Sequence, residues 1–235
     1  VTEGQPSAPA YFLFNATLNK QTREVRDLDT EIPALDDAAV ADALAGGAIV
    51  HDARDAMAFT AGHLRGAISV PADGRLSETV GMVLRPEQRL VVMAPQGQEQ
   101  EVAMRLARIG FDRAVGFIPD PEGYLVRHAD QVEHASRLTV AQADAALATG
   151  DVQVVDIRNP GETAGGVIPG AQLIPLPELP RRFGELDADR PVLLYCAGAW
   201  RSSVAASLLR ARGLADVSDI LGGYAAWTAA HPAAG

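Results

Sequence analysis

The sequence predicts an α/β protein built from two similar domains, each a mostly parallel central sheet flanked by helices. Two observations carry this. Short apolar runs of strand length alternate with longer helical patterns, the arrangement of a parallel sheet covered by helices. The pattern also occurs twice, offset by about 103 residues, a repeat too long for a solenoid and about the size of a small domain. Val50-His51-Asp52-Ala53-Arg54 matches Val154-Val155-Asp156-Ile157-Arg158, and Gly66-Ala67-Ile68-Ser69-Val70-Pro71 matches Gly170-Ala171-Gln172-Leu173-Ile174-Pro175. Leu90 to Met93 matches Val192 to Tyr195, and Leu106 to Phe111 matches Leu209 to Leu214. The expected organisation is an N-terminal extension over 1–33, a first domain over 34–121, a linker over 122–137 and a second domain over 138–231.

In the second half each element has a local reason. Thr139 is a suitable N-cap for a helix over Ala141 to Ala148, which stops near Gly150. Val152 to Ile157 and Gln172 to Pro175 read as strands. Val192 to Tyr195 is a continuous apolar run, predicted to be the central strand because it reads as buried on both faces. Val204 to Arg212 is Ala- and Leu-rich and is stopped by Gly213, a good residue beyond a helix C-terminus. Val217 to Leu221 is the last strand.

The only cysteine of the chain, Cys196, follows the central strand. It opens the segment Cys196-Ala197-Gly198-Ala199-Trp200-Arg201-Ser202-Ser203, which feeds the next helix. Sites in open α/β sheets lie beyond the carboxyl ends of strands. A helix N-terminus offers unpaired N–H groups and the positive end of the helix dipole, both favourable to a thiolate. Gly198 is expected to let the backbone curl, Ser202 or Ser203 to cap the helix, and Arg201 to add a fixed positive charge. A buried cysteine in a core needs none of these. Trp200, inside the loop, is placed either lining a donor pocket or covering the loop base, and Gly222-Gly223-Tyr224 beyond the last strand borders the same region.

The spacing Cys196-x-Gly198-x-x-Arg201-Ser202 resembles the active-site loop of the rhodanese family of sulfurtransferases. A second signature supports the resemblance. The first half has Asp52-x-Arg54, Phe59 and Gly62-His63-Leu64-Arg65-Gly66-Ala67; the second has Asp156-x-Arg158, Glu162 and Gly166-Val167-Ile168-Pro169-Gly170-Ala171. The resemblance implies that Cys196 takes a sulfane sulfur from a small-molecule donor, becomes a persulfide and passes the sulfur to a thiol or cyanide-type acceptor. Cys196 and Arg201 are then the catalytic pair, and Ala197, Gly198, Ala199, Trp200 and Ser202 form the cradle for the anion. Asp156, Arg158 and Glu162 support it, with an Arg158–Glu162 ion pair and Asp156 anchoring the strand end. Thiosulfate, glutathione persulfide or a related persulfide are the donors implied. The loop lacks the Cys-Gly-Ser-Gly pattern of mercaptopyruvate enzymes and the basic residues beside cysteine of some thiosulfate enzymes, which favours low-molecular-weight persulfides. Because the cysteine half has Val167 where His63 stands, the histidine position is read as structural.

The first half has Ala94 at the cysteine position and Glu99 at the arginine position, so it resembles the inactive partner of tandem rhodaneses. Phosphatase and arsenate-reductase relatives carry one more residue between cysteine and arginine than the four here. A non-catalytic binding module fits the first half better than the second. The N-terminal segment, with Ala8-Pro9-Ala10-Tyr11-Phe12-Leu13-Phe14, resembles the junction in proteins that join a metallo-β-lactamase-fold hydrolase or persulfide dioxygenase to rhodanese domains. That implies a metallo-β-lactamase-fold domain preceding this chain in a longer protein.

Composition bounds the rest. A net charge of −10 argues against nucleic acid. No apolar run approaches a membrane span, and Val1 to Pro9 lacks the form of a signal peptide. A single cysteine suits a reducing compartment, and the expected location is cytoplasmic. His51, His63, His128, His134 and His231 lack ligand spacing, so neither a metal nor another cofactor is expected.

Overall fold

The computed structural model describes residues 31–73 and 75–232. These fall into two compact units that part between His134 and Ala135. In the first, α1 (Asp37–Ala45), β1 (Ile49–Asp52), α2 (Ala56–Ala61), β2 (His63–Leu64), β3 (Ile68–Ser69), α3 (Leu76–Val83), β4 (Leu90–Met93), α4 (Glu99–Ala107), β5 (Ala114–Phe117), α5 (Pro121–Arg127) and β6 (Val132–Glu133) follow in order. The second contains β7 (Ser136–Leu138), α6 (Val140–Ala148), β8 (Gln153–Asp156), α7 (Pro160–Thr163), β9 (Gln172–Leu173), α8 (Leu179–Arg182), β10 (Val192–Tyr195), α9 (Trp200–Ala211), β11 (Val217–Ile220) and α10 (Gly223–Ala230).

The second unit's sheet has the order β7-β11-β10-β8-β9, parallel throughout, with β10 in the middle. All four residues of β10 are buried, as a strand covered on both faces must be. Leu193 and Tyr195 join Val154, Ile168, Ile220 and Trp227 in one apolar cluster. The first unit's sheet has the order β3-β1-β4-β5, also parallel, and Ala34 bridges Phe117 of β5 in parallel sense. Matching β1 to β8, β3 to β9, β4 to β10, β5 to β11 and Ala34 to β7 gives one strand order for both units.

Three expectations change. Residues 122–137 are folded, with most of α5, the 3₁₀ turn Ala129–Gln131, β6 and the start of β7. Val132 and Glu133 pair with β2, and Asp120 caps α5, so the polar character of the segment reflects helix exposure instead of a free connection. Within the N-terminal extension, Ile32 and Pro33 belong to the first unit: Ile32 exchanges two bonds with the Gln100 amide, and Pro33 O accepts from Phe117 N. Residues 1–30, where the rest of that expectation falls, lie outside the described residues. The helix after the cysteine begins at Trp200, four residues before the apolar pattern that predicted it. Among the described residues no helix is long and apolar enough to cross a membrane.

The first unit buries a polar side chain where the second has an apolar one. His51 in β1 is fully enclosed; its Nε2 donates to Val70 O at 3.0 Å, and its Nδ1 has no partner among the described residues. The matching residue is Val155. Burial, only partly offset by the Val70 bond, lowers the His51 pKa to about 4 from 6.5. The folded state thus holds the neutral ring. Above pH 6.5 this costs nothing. As the pH falls toward 4 the unfolded chain binds a proton that the folded chain refuses, and about 3 kcal/mol of stability is lost. His51→Val should remove this segment of the acid sensitivity without loss at pH 7, read from urea unfolding at pH 7 and pH 4. An unchanged acid slope would show that His51 is not its source.

Candidate active site

Cys196 directly follows β10, at the carboxyl end of the central strand, and only about 1% of it is exposed. Its surroundings are polar as well as apolar. Cys196 Sγ lies 3.7 Å from Ser202 Oγ, and Ser202 Oγ lies 3.1 Å from Asp219 Oδ2 on the neighbouring strand β11. Arg137 of β7 closes the chain with two bonds to the Asp219 carboxylate, at 2.9 and 2.8 Å. Ser202 and Asp219 are buried, so this carboxylate needs the guanidinium to remain inside the protein.

The loop that carries the thiol is held by its carbonyls. Tyr224 N donates to Cys196 O at 2.7 Å, and Ala225 N donates to Ala197 O at 3.1 Å. These donors belong to the first turn of α10, whose N–H groups have no partner within their own helix. The approach is close enough that a Cβ on Gly223, at φ +58°, would collide with Cys196 O and the Ala197 carbonyl. By contrast, the backbone N–H groups of residues 197–202 are hydrogen-bonded to no group among the described residues. That leaves six consecutive donors next to the only thiol.

The tight turn falls one residue later than expected. Gly198 is not in the left-handed region, and a Cβ there would meet nothing; Ala199, at φ +76°, is the only non-glycine residue described with positive φ. Ala199 is also the N-cap, with no side-chain cap of its own. Ser202 therefore does not cap the helix. It sits inside the first turn with its hydroxyl against Ala199 O (3.2 Å), Asp219 and the thiol. A strained residue of this kind costs about 1–2 kcal/mol. Trp200 is half-buried, and its Nε1 is enclosed without a partner among the described residues.

The supporting residues pair differently from expectation. Arg158 does not pair with the Glu162 carboxylate. It forms a fork on Asp156, with Nε–Oδ1 at 3.0 Å and Nη2–Oδ2 at 2.6 Å, and takes only the backbone carbonyls of Glu162 (3.1 Å) and Gly166 (2.8 Å). The reason is position: Asp156 ends β8 two residues before Arg158, so the guanidinium folds back onto it. Burial pulls the Arg158 pKa down, and the Asp156 carboxylate outweighs it and holds the group above its ordinary value. Its face lies over Tyr224 at 4.0 Å and Tyr195 at 5.5 Å, a cation–π arrangement that ties this corner to α10. The first unit repeats the same clamp, with Arg54 Nη2 bonded to Asp52 at 2.7 Å and to Gly62 O at 2.8 Å.

Glu162 instead pairs with Arg201, with two bonds of 2.6 Å. Arg201 holds the Glu162 carboxyl below its ordinary pKa. The Arg201 guanidinium is raised, chiefly by Glu162 and to a lesser degree by the nearby Cys196 sulfur, against the opposing effect of burial. Arg201 is thus brought beside Cys196, as expected, but its charge is matched by a carboxylate. In the first unit Ala94 is buried after β4, and Glu99 opens α4. His63 is buried there, stacked on Phe59 at 3.8 Å and bonded through Nδ1 to Phe59 O.

The Rhodanese-like domain family matches residues 139–230, which hold the Cys196 loop and every group just described in the second unit except Arg137. A sulfurtransferase of Allochromatium vinosum is 42% identical over 79 residues, 34% of this chain and 74% of that protein. The thiosulfate sulfurtransferase GlpE of Pseudoalteromonas translucida is 33% identical over 94 residues, 40% of this chain and 90% of that protein. The chain belongs to the rhodanese-like family. The protein YqhL of Bacillus subtilis is 43% identical over 75 residues, and the match spans 32% of this chain and 60% of that protein.

Asp219 and Arg137 are missing from the residues the sequence singled out as contributing to this site, whereas Gly223 falls in the segment expected to border it. A carboxylate inside the apolar run Val217 to Leu221 is the available signal, because a charge in a covered strand must be paired. Two variants test the backbone geometry. Gly223→Ala should cost about 2 kcal/mol or more, by positive φ and by collision with the Cys196 loop; an unchanged melting temperature would contradict this approach. Ala199→Gly should stabilise by about 0.5–1 kcal/mol, the relief of left-handed strain exceeding the entropy of an added glycine. A lower melting temperature would mean that Ala199 is not strained.

Proposed function

We propose that the protein is a sulfurtransferase that carries a sulfane sulfur as a persulfide on Cys196. It takes the sulfur from thiosulfate or a low-molecular-weight persulfide and delivers it to a thiol or cyanide-type acceptor. The observation that carries this reading is the lone cysteine at a strand end, followed by six backbone donors with no acceptor of their own. Left-handed Ala199 followed by helical Trp200 is the alternation that turns successive N–H groups toward one side and makes an anion-binding concavity. Such a cradle suits the charge on a terminal sulfur, and fixed donors need no reorganisation during transfer. The rhodanese-like relatives named as sulfurtransferases support the same reaction class.

Each half-reaction is thiol–disulfide-like exchange. The Cys196 thiolate attacks the outer sulfur of the donor; the new S–S bond forms as the donor's bond breaks, and sulfite or a thiolate leaves with the electron pair. An acceptor then attacks the outer sulfur, and the Cys196 thiolate is the leaving group. Arg201 and the loop of residues 197–202 stabilise the anions, while Asp156, Arg158 and Glu162 hold the surrounding backbone.

The first unit is the non-catalytic partner on this reading. It shares the strand order and the Asp–Arg clamp, but has Ala94 where the nucleophile would stand and Glu99 where Arg201 would be. A metallo-β-lactamase-fold domain, if joined upstream of this chain, would act on persulfides in the same flow of sulfur.

Cys196→Ser should abolish both sulfur uptake and thiosulfate–cyanide turnover while leaving the unfolding profile close to wild type, because serine matches the volume but forms no persulfide. Intact mass after incubation with donor reads the first effect as the loss of one added sulfur atom. Retained turnover in that variant would refute the assignment.

A further inference from the structure

Three arginines surround the Cys196 loop, and each meets a carboxylate: Arg137 with Asp219, Arg158 with Asp156, and Arg201 with Glu162. The carboxylates of the first two pairs are buried on strands β11 and β8, and their side chains are at most 10% exposed. The third is different. Arg201 and Glu162 side chains are 22% and 35% exposed, and Glu162 comes from the short helix α7, outside the sheet. Its carboxylate is fixed from a second direction, since Oε2 also accepts the Asn159 N–H at 3.1 Å in a capping box. The pair is doubly bonded and preorganised, the strong form of an arginine–carboxylate contact.

We propose that Glu162 is a specificity-determining residue that selects the sulfur donor at Cys196. By occupying Arg201 it withholds a partly exposed cation beside the thiol from a dianionic donor such as thiosulfate. It leaves the site to organic persulfides, which have no charged sulfonate bonded to the transferred sulfur; in glutathione persulfide the carboxylates and the ammonium lie many bonds away from it. The proposal rests on the sulfur-carrying reading of Cys196. A matched pair presents a dipole whose field fades within a few ångströms, whereas a lone guanidinium attracts a dianion with twice the energy of a monoanion. The chain's net charge of −10 adds repulsion at longer range. The N–H groups after Cys196 compensate for neither effect, because they suit one small anionic atom in the loop, while thiosulfate also carries three sulfonate oxygens.

The favoured step balances without an added oxidant or reductant. The Cys196 thiolate attacks the outer sulfur of R–S–SH, the Sγ–S bond forms, the R–S to S bond breaks, and RS⁻ leaves with its electron pair.

Glu162→Gln in the full chain separates this role from a structural one. Glutamine keeps the side-chain oxygen that caps α7 but removes the charge. Sulfur loading of Cys196 is followed by intact mass, with thiosulfate and with glutathione persulfide as separate donors. The wild-type chain should load from glutathione persulfide with the higher kcat/KM. Glu162→Gln should shift the ratio of the two efficiencies about tenfold toward thiosulfate. The shift should appear chiefly in the KM for thiosulfate, which should also become more dependent on salt. A variant that changes both donors in parallel, or leaves the thiosulfate KM where it was, overturns the proposal and leaves sulfur transfer intact. Wild-type chain that loads from neither donor overturns sulfur transfer itself, and the proposal with it.

Discussion

The loop around Cys196 depends on two hydrogen bonds that its own residues do not donate. Tyr224 and Ala225, in the first turn of α10, bind the carbonyls of Cys196 and Ala197. Once those carbonyls are committed to a helix terminus, the chain must leave β10 in a fixed direction. The short path to α9 is then closed by Ala199 in a conformation that alanine disfavours. The N–H groups of residues 197–202 that follow meet no acceptor among the described residues. Gly223 permits this arrangement, as any larger residue would push α10 off the loop. Local strain and unpaired donors thus have one origin, the seating of one helix end against one strand end.

Charge around the loop is arranged by the same economy of position. Asp156, Asp219 and Glu162 come from β8, β11 and α7, and each meets an arginine: Arg158, two residues on, for Asp156, and the distant Arg137 and Arg201 for the other two. Two of these pairs are enclosed, where breaking either would strand a charge. The clamp between Asp156 and Arg158 recurs as Asp52 and Arg54 in the unit without cysteine. In both units the guanidinium also bonds a loop carbonyl, Gly62 O or Gly166 O, with or without a cysteine nearby.

The sequence carried the cysteine loop, the repeat and the central strand openly, because each is a local pattern. Val192 to Tyr195 is uniformly apolar, the two Asp-x-Arg segments align by eye, and Cys196 has no competitor. What escaped it required distance. Arg201 and Glu162 lie 39 residues apart, and Arg137 and Asp219 lie 82 apart, so nothing in their neighbourhoods indicates a partner. Four residues separate Glu162 from Arg158, so proximity along the chain points to that pair, whereas the fold brings Arg201 to the carboxylate. Gly198 attracted the turn because glycine usually takes it, while tertiary bonds to the preceding carbonyls placed it on Ala199. The polar stretch 122–137 read as a linker since its pairing partner, β2, lies far back in the chain.

The enclosure of Cys196 also bears on what an encounter partner meets. At about 1% exposure the bare thiol offers almost no surface to an approaching molecule. On the proposed chemistry an attached sulfur lies about 2 Å further along the bond, among the free donors of the loop. The reactive contact is then made by the cargo and not by a side chain of the protein. Loaded and empty forms would differ at the point of contact by one atom, so a receiving partner could distinguish them with no change of fold.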